Sequence, residues 1–464
     1  MASSTNLSPA DIDTFADGLH GTVIRPEDAN YDEARALFNA MIDKRPALIA
    51  RCADVDDVVS AVDFGRETGL DIAIRCGGHN GPGLSSVDDG LMIDLSGLKS
   101  IQVDADARTA KVGGGCLLGE IDAATHEHGL ATPGGIISTT GAGGLMLGGG
   151  IGHLTRKCGL SIDNIRGAEV VLADGSVVQA DERTNADLYW AIRGGGGNFG
   201  VVTSMTLDLH PVSTVVGGPM LWSLDVASDV LRWYREFILS APDDLGGFFA
   251  FLTVPPGPPF PEELHLQKVC GVIWCWTGPE EGAEAALAEA RSQPGIVLDG
   301  VQPMPLPMLQ SAFDELYAAG DQWYWRADFV EEIPDEAVER HVEFAEKLPT
   351  WKSTMHMYPI DGAAHGAGPD DTPWGYRNAN WGMVMVGVDP DPANADAITA
   401  WTKDYWAALH PYSSGGAYVN MMMEEGQERV HAAYGENYAR LAGIKAAYDP
   451  DNLFHVNQNI QPAS

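Results

Sequence analysis

Between residues 129 and 152 the chain runs for 24 residues without a charged side chain, and ten of them are glycine. No other feature limits the fold so strongly. A stretch of that length could cross a bilayer as a helix, but glycine mixed with serine and threonine exposes backbone instead of an apolar face, so it reads as a loop that recognises a ligand through its main chain. Two further glycine clusters flank it, Gly113–Gly115 and Gly194–Gly200. The string Gly195-Gly-Gly-Asn-Phe-Gly200 matches G-x-G-x-x-G, yet the strand-like Val201–Leu207 follows it. A dinucleotide fingerprint requires a helix there, to receive the pyrophosphate, so a nicotinamide-binding Rossmann unit is set aside. No G-x-x-x-x-G-K-[ST] string occurs, and His126 and His128 lack partners at metal-ligand spacing, so neither nucleoside triphosphate chemistry nor a metal is expected.

The rest of the chain reads as α+β. Residues 1–40 form a helical lead-in, with Asp11 and Asp32 at N-cap positions and helical spacing from Glu33 to Met41. Over 46–75 the pattern is strand, helix, strand: Pro46–Ala50, Asp54–Thr68 stopped by Gly69, then Asp71–Arg75. That unit opens into the glycine-rich turn Cys76–Gly83, a way to present N–H groups to a phosphate. From 90 to 212 short strands (Leu91–Leu95, Thr109–Val112, Ala168–Leu172, Val201–Leu207) alternate with helices at 117–128 and 185–192, and Asp174-Gly175 signals a hairpin. Past 213 the chain is richer in aromatic residues and proline. There, strands such as 248–254 and 381–388 alternate with helices at 280–291, 335–347 and 394–409, which suggests a sheet covered by helices on one face. A helix over 426–447 precedes Tyr448-Asp-Pro-Asp-Asn452. The expected divisions are 1–40, 41–212, 213–415 and 416–464.

With 28 Lys+Arg against 65 Asp+Glu, the formal charge is −37. Phosphate backbones and anionic bilayers repel such a chain, which excludes nucleic acid and membrane surfaces as partners. Asp outnumbers Glu, and only nine of the 28 basic residues are Lys; concentrated salt, which screens self-repulsion, is the expected solvent. Six cysteines without a C-x-x-C pair read as thiols in a reducing compartment. The first residues show no basic and apolar leader pattern, so a cytoplasmic protein is expected.

Five ordered motifs carry a resemblance over roughly residues 40–464. They are Arg75-Cys-Gly-Gly-His-Asn80, Pro133–Gly152, Arg156-Lys-Cys-Gly-Leu-Ser-Ile-Asp-Asn164, Tyr189–Gly200 and Tyr448–Ile460. Together they resemble the FAD-linked oxidases of the berberine bridge enzyme-like group, within the vanillyl-alcohol oxidase (PCMH-type) flavoproteins. The resemblance implies an FAD-binding domain over 41–212, a substrate domain with an antiparallel sheet covered by helices, and a C-terminal segment returning to the first domain. It implies FAD bonded covalently to His79, and here through His79 alone, because the cysteine that forms a second bond in many relatives is Ile137 in this chain. Arg75 and the segment Cys76, Gly77, Gly78 and Asn80, with Gly83 and Ser85, are expected at the pyrophosphate. Gly134, Thr139, Thr140, Gly144 and Gly149 are expected beside the flavin, Val201 at the adenine end, and Asn457 and Asn459 folding back to the ring.

By the same resemblance the activity is hydride transfer from a C–OH or C–N bond of a small molecule to FAD, with O2 or another acceptor closing the cycle. Tyr418 and Asn420 match the family's active-site strand. Tyr376, Arg377 and the cluster Trp323-Tyr-Trp-Arg326 are further candidates, with His356 as another base; a tyrosine base would need a neighbouring cation, Arg377 or Arg326, to lower its pKa. A carbohydrate oxidase or dehydrogenase, and a flavin-binding protein without turnover, are the alternatives; oxidase against dehydrogenase stays open at Thr140. The motifs themselves are nearly uncharged, which leaves the acidity to the surface. Fold and activity are therefore expected to need high salt. Melting followed by circular dichroism from dilute buffer to molar KCl checks this, and an unchanged melting temperature with full activity in dilute buffer would refute it.

Overall fold

Apolar residues in unbroken runs mark strands covered on both faces, and the first sheet is built from three of them. Leu48–Arg51, Leu91–Asp94 and Ile72–Arg75 lie side by side and parallel, with Val55–Thr68 as the connecting helix. Asp54 caps that helix by accepting the Asp57 N–H, and Gly69 ends it in the left-handed conformation. The structure, a computed structural model, describes residues 7–463, so the first six residues of the lead-in and Ser464 lie outside the described residues. The described part of the lead-in is not purely helical. Thr22–Ile24 adds an antiparallel edge strand to Leu48–Arg51, joining residues 7–40 to this sheet. Ser8, with Pro9 behind it, caps the helix Pro9–Gly18, displacing Asp11 into the first turn. The next helix, Tyr31–Arg35, starts at Asn30 instead of Asp32 and stops early. It stops because the Arg75 guanidinium binds the Ala34 and Ala36 carbonyls and the chain turns down to Phe38.

Five antiparallel strands make the second sheet, in the order Ile101–Asp104, Thr109–Gly113, Val201–Asp208, Ile165–Val171, Val177–Asp181. The helices Leu118–His126 and Ala186–Gly195 pack into its core with Leu188, Trp190, Ile192 and Phe199.

Thr214 opens the third sheet, eight antiparallel strands that run from the interior outward as Lys268–Trp276, Leu245–Thr253, Thr354–Pro359, Trp381–Asp389 and, at the edge, Gln322–Val330. Here both faces are buried, and period-two alternation sorts them. Phe249, Phe251, Met355, Met357, Met383 and Met385 meet the helices Ala227–Ser240, Asp335–Glu346 and Ala395–Leu409. Their neighbours Phe248, Ala250, Tyr358, Val384 and Val386 face Ile136, Ile151 and Leu154 of the first domain. The C-terminal segment then returns. The helix expected over 426–447 is two, Gln427–Tyr434 and Tyr438–Tyr448, because Gly435 turns left-handed between them. Buried Lys445 ties the second helix to the Asn198 and Phe454 carbonyls and to Asp449. No helix among the described residues is long and apolar enough to cross a membrane.

Buried polar contacts lock the two domains together. Arg156 pairs with Asp361 at 2.8 Å and 3.1 Å and donates to the Ala241, Pro242 and Leu245 carbonyls. Removing Asp361 would leave a buried cation unmatched, at about 3–5 kcal/mol. Asn39 donates to the Gly81 and Trp323 carbonyls and accepts the Trp323 N–H, so one side chain spans both domains. Asp122, on Leu118–His126, faces Gln310 on the helix Leu306–Gln310, and burial pushes its carboxyl up to about 7. The unfolded chain releases that proton near pH 4 while the folded chain keeps it, so stability falls as pH rises from about 4 to about 7. Asp122→Asn should match the wild type near pH 4, gain on it up to about pH 7 by on the order of 1–4 kcal/mol, and hold that gain above, as read by urea unfolding across pH.

Candidate functional site

Between the domains lies a cavity of about 350 Å³, floored by glycine-rich loops of the first domain and walled by the third sheet. The floor depends on one close approach. A Cβ at Gly77 would overlap the Gly141 backbone, and one at Gly141 would overlap the Gly77 nitrogen and Cys76 Sγ. Only glycine on both loops lets the strand end Ile72–Arg75 and the helix Ala142–Leu147 meet, and the meeting sets His79 beside the 139–140 segment. Thr139 Oγ1 is 3.1 Å from His79 Nε2, and Thr140 Oγ1 is 3.4 Å from Nδ1. Phe38, delivered by the lead-in, stacks under the imidazole at 3.9 Å. Burial holds His79 at about 4, so the ring is neutral at ordinary pH, and it drives the Cys76 thiol up to about 11.

At the far side Tyr418 Oη accepts two hydrogen bonds, from the Gly150 N–H at 2.8 Å and from Asn420 Nδ2 at 2.8 Å. Asn420 Nδ2 also donates to the Leu145 carbonyl. The segment expected as a strand is the 3₁₀ turn Val419–Met421. Burial raises Tyr418 to about 12. No cation counters this, which corrects the expected role of the arginines. Arg377 is bound to Asp163, Thr372 and the Ala364 carbonyl, and Tyr376 donates to the Ala432 carbonyl; neither lines the cavity. Arg326 points to the opposite sheet face and pairs with Glu425.

Several expected cofactor contacts sit elsewhere too. Arg75 is turned beneath the loop into a pair with Asp94 at 2.7 Å and does not reach the cavity. Gly83 packs on Ile42 and Gly134 on Leu118, behind the lining. Thr139 contributes through His79, and Gly149 through Trp374 and Tyr418, both of which a Cβ there would strike. Cys76, Gly77, Gly78, Asn80, Ser85, Thr140, Gly144, Val201 and Asn457 do line it, as does Ile137. Asn459 is close in sequence to that edge, with a buried Oδ1 lacking a partner among the described residues.

The wall was less legible. Thr354, His356 and Tyr358 alternate along one strand; Val386 stands opposite Thr354 and Trp325, and Val384 opposite His356. Trp323 and Trp325 share that face, while Tyr324 and Arg326, two of the four clustered residues, turn away. Tyr317 and Phe38 come from segments with no motif. Strand alternation across paired strands, once the register is known, is the signal that finds Tyr358 and Val386. No Asp, Glu, Lys or Arg is among the lining residues.

Comparisons with known proteins show what the whole chain is similar to. A family model described as "FAD binding domain" matches residues 46–181, and one described as "Berberine and berberine like" matches residues 417–461. An FAD-linked oxidoreductase of Dictyostelium discoideum is 31% identical over 456 residues, covering 97% of both chains. The (R)-6-hydroxynicotine oxidase of Paenarthrobacter nicotinovorans is 29% identical, over 96% of this chain and 97% of its own. The crystal structure of 6-hydroxy-D-nicotine oxidase from Arthrobacter nicotinovorans superposes with a TM-score of 0.86 at 27% identity, covering 96% of this chain and 98% of that one.

Gly149 carries the floor's sharpest local demand, a φ of +142° against two aromatic rings. Gly149→Ala should destabilise the protein by about 1–3 kcal/mol and pull Tyr418 off the Gly150 N–H, checked by thermal melting and a crystal structure of the variant.

Proposed function

Because the chain belongs to the berberine bridge enzyme-like FAD-linked oxidoreductases, we propose that it oxidises a C–OH or C–N bond of a compact, weakly polar organic molecule, with FAD bonded through His79 alone and dioxygen as acceptor. The observation that carries this reading is one uncharged cavity with His79 at the glycine floor and Tyr418 at the wall. The residues present fit FAD. Glycine-rich main chain lines the floor, and Ser85 Oγ and Asn457 Oδ1, both of lining residues, are buried without partners among the described residues, a state that a ligand would relieve. When bound, FAD supplies the acceptor for the substrate's hydride.

The chain's own residues do the rest. Cys76 to Asn80 and Ser85 would hold the phosphate end, and Thr139 and Thr140 hold the His79 ring in place. A neutral imidazole keeps a nitrogen lone pair available for attachment, and burial maintains that form. The apolar wall of Trp325, Val384 and Val386 excludes water from the reacting atoms. Tyr418, with both lone pairs engaged, directs its own proton at a substrate heteroatom. Sugars are the second reading, since two tryptophans line the wall. Trp323 and Trp325, however, meet edge to face at 6.0 Å and are only 4% and 6% exposed, so they form a closed corner instead of an open platform. This favours alcohols or cyclic amines of a secondary-metabolite kind.

A panel of aryl and alicyclic alcohols, cyclic amines and oligosaccharides, scored by anaerobic flavin bleaching and then by peroxide formation in air, tests the substrate and the acceptor. Fragment-ion mass spectrometry should place a flavin adduct on His79. The resolution to single residues matters because Cys76 lies three positions away on the same floor; an adduct on any cysteine would contradict the single bond. His79→Ala should leave no flavin on the acid-precipitated protein.

A further inference from the structure

Tyr418 is poorly placed to be a base. Its oxygen already accepts from Gly150 and Asn420, so the neutral phenol has only a proton left to give. His79 has threonine hydroxyls at both nitrogens. His356 differs from both. It lines the cavity, its Nδ1 lies 2.7 Å from Tyr358 Oη, and its Nε2 has no hydrogen-bond partner among the described residues. Ala250 and Val384 stand opposite it on the neighbouring strands, and the rings of Phe248 at 4.9 Å and Tyr317 at 6.2 Å pack beside the imidazole. With no carboxylate, lysine or arginine in the lining, His356 is the group there that offers an uncommitted basic lone pair.

We propose that His356 takes the proton leaving the substrate's O–H or N–H at Nε2, that Tyr358 fixes its tautomer by accepting from Nδ1–H, and that Tyr418 serves as a hydrogen-bond donor to the substrate. The proposal rests on the oxidoreductase reading above. The substrate C–H bond breaks with its electron pair, and the hydrogen leaves as hydride for FAD. The X–H bond breaks as well; its electron pair becomes the second bond of C=X, and its proton bonds to Nε2, giving an imidazolium that passes the proton to water as product leaves. A strong base is not required, because losing hydride turns an alcohol O–H into that of a protonated carbonyl, itself a strong acid. What is required is a lone pair free of protons at working pH. Burial secures it, holding His356 at about 3. The titratable groups around the ring are Tyr358 on its own strand, Tyr317 from the segment before Gln322–Val330, and Tyr418 beyond Tyr358; no charged group faces it.

NMR of the holoprotein labelled with ¹⁵N-histidine reads the tautomer without turnover, the signal being assigned by its loss in His356→Gln. Nε2 should be unprotonated, Nδ1 protonated, and neither should titrate between about pH 5 and 9; in Tyr358→Phe the tautomer preference should vanish. A protonated Nε2, or titration in that range, overturns the proposal. With the fastest alcohol of the panel, His356→Gln should slow flavin bleaching by about 10²-fold or more while substrate affinity changes little. Tyr358→Phe, which keeps the imidazole, should slow it less. Tyr418→Phe should weaken binding and leave the rate independent of pH. If Tyr418→Phe abolishes bleaching while His356→Gln bleaches at the wild-type rate, Tyr418 is the base and the proposal falls. If nothing in the panel bleaches the wild type, the function proposed above fails, and the NMR result still decides for or against His356 as an acceptor.

Discussion

Two backbones touch where Gly77 passes Gly141, and neither can carry a β-carbon. The rest of the site depends on that contact. It brings a strand end of the first sheet against a helix start from the uncharged run, and so determines where Cys76, His79 and Thr140 stand. A side chain can often swing aside from a clash; a peptide backbone held in a sheet on one side and a helix on the other cannot. The absence of charge through residues 129–152 has the same origin. This run is clamped between two domains, where an ionised group would lose its hydration without gaining a partner.

Glycine patterns act locally, so the floor was legible in the sequence. Cys76, Gly77, Gly78, Asn80, Thr140, Gly144 and Asn457 reach the cavity because their positions follow from short turns. The wall depends on which of two faces a strand shows, and on the register with partner strands elsewhere in the chain. Tyr376 and Arg377 looked like a phenol beside a cation. Their side chains instead satisfy the Ala432 carbonyl and the Asp163 carboxylate, needs that a linear reading does not reveal. Arg75 shows the same limit: it sits one residue from the lining, but a buried carboxylate, Asp94, draws it the other way. Phe38 was hidden inside a stretch with helical spacing, since the pull that unwinds it comes from Arg75. The architecture was easier to read, because alternation and helix stops repeat over many residues.

Arg326 illustrates how a charge can matter to a site it never touches. Its guanidinium, with that of Arg429, holds the buried Glu425, which also accepts the Met423 N–H. Arg429 in turn bonds Asp328. This network anchors the far end of the segment that presents Tyr418 and Asn420, so the hydroxyl is held from below by ion pairs while its surroundings stay uncharged. Polar stiffness and an apolar reaction space coexist because the sheet separates them.

Asn39 binds the Gly81 carbonyl 42 residues away and the Trp323 backbone 284 residues away. At about 5–20 residues per second, ribosomal synthesis leaves roughly 15–60 s between the appearance of this asparagine and of its partner strand. Throughout that interval Asn39 lacks its Trp323 partner and Phe38 the Trp323 ring it leans on, so the loop holding His79 has its underside but only half of its brace. The pocket therefore cannot mature from the N-terminus as the chain emerges. It closes late and all at once, and the nascent first domain must stay soluble in the meantime with its glycine floor uncovered.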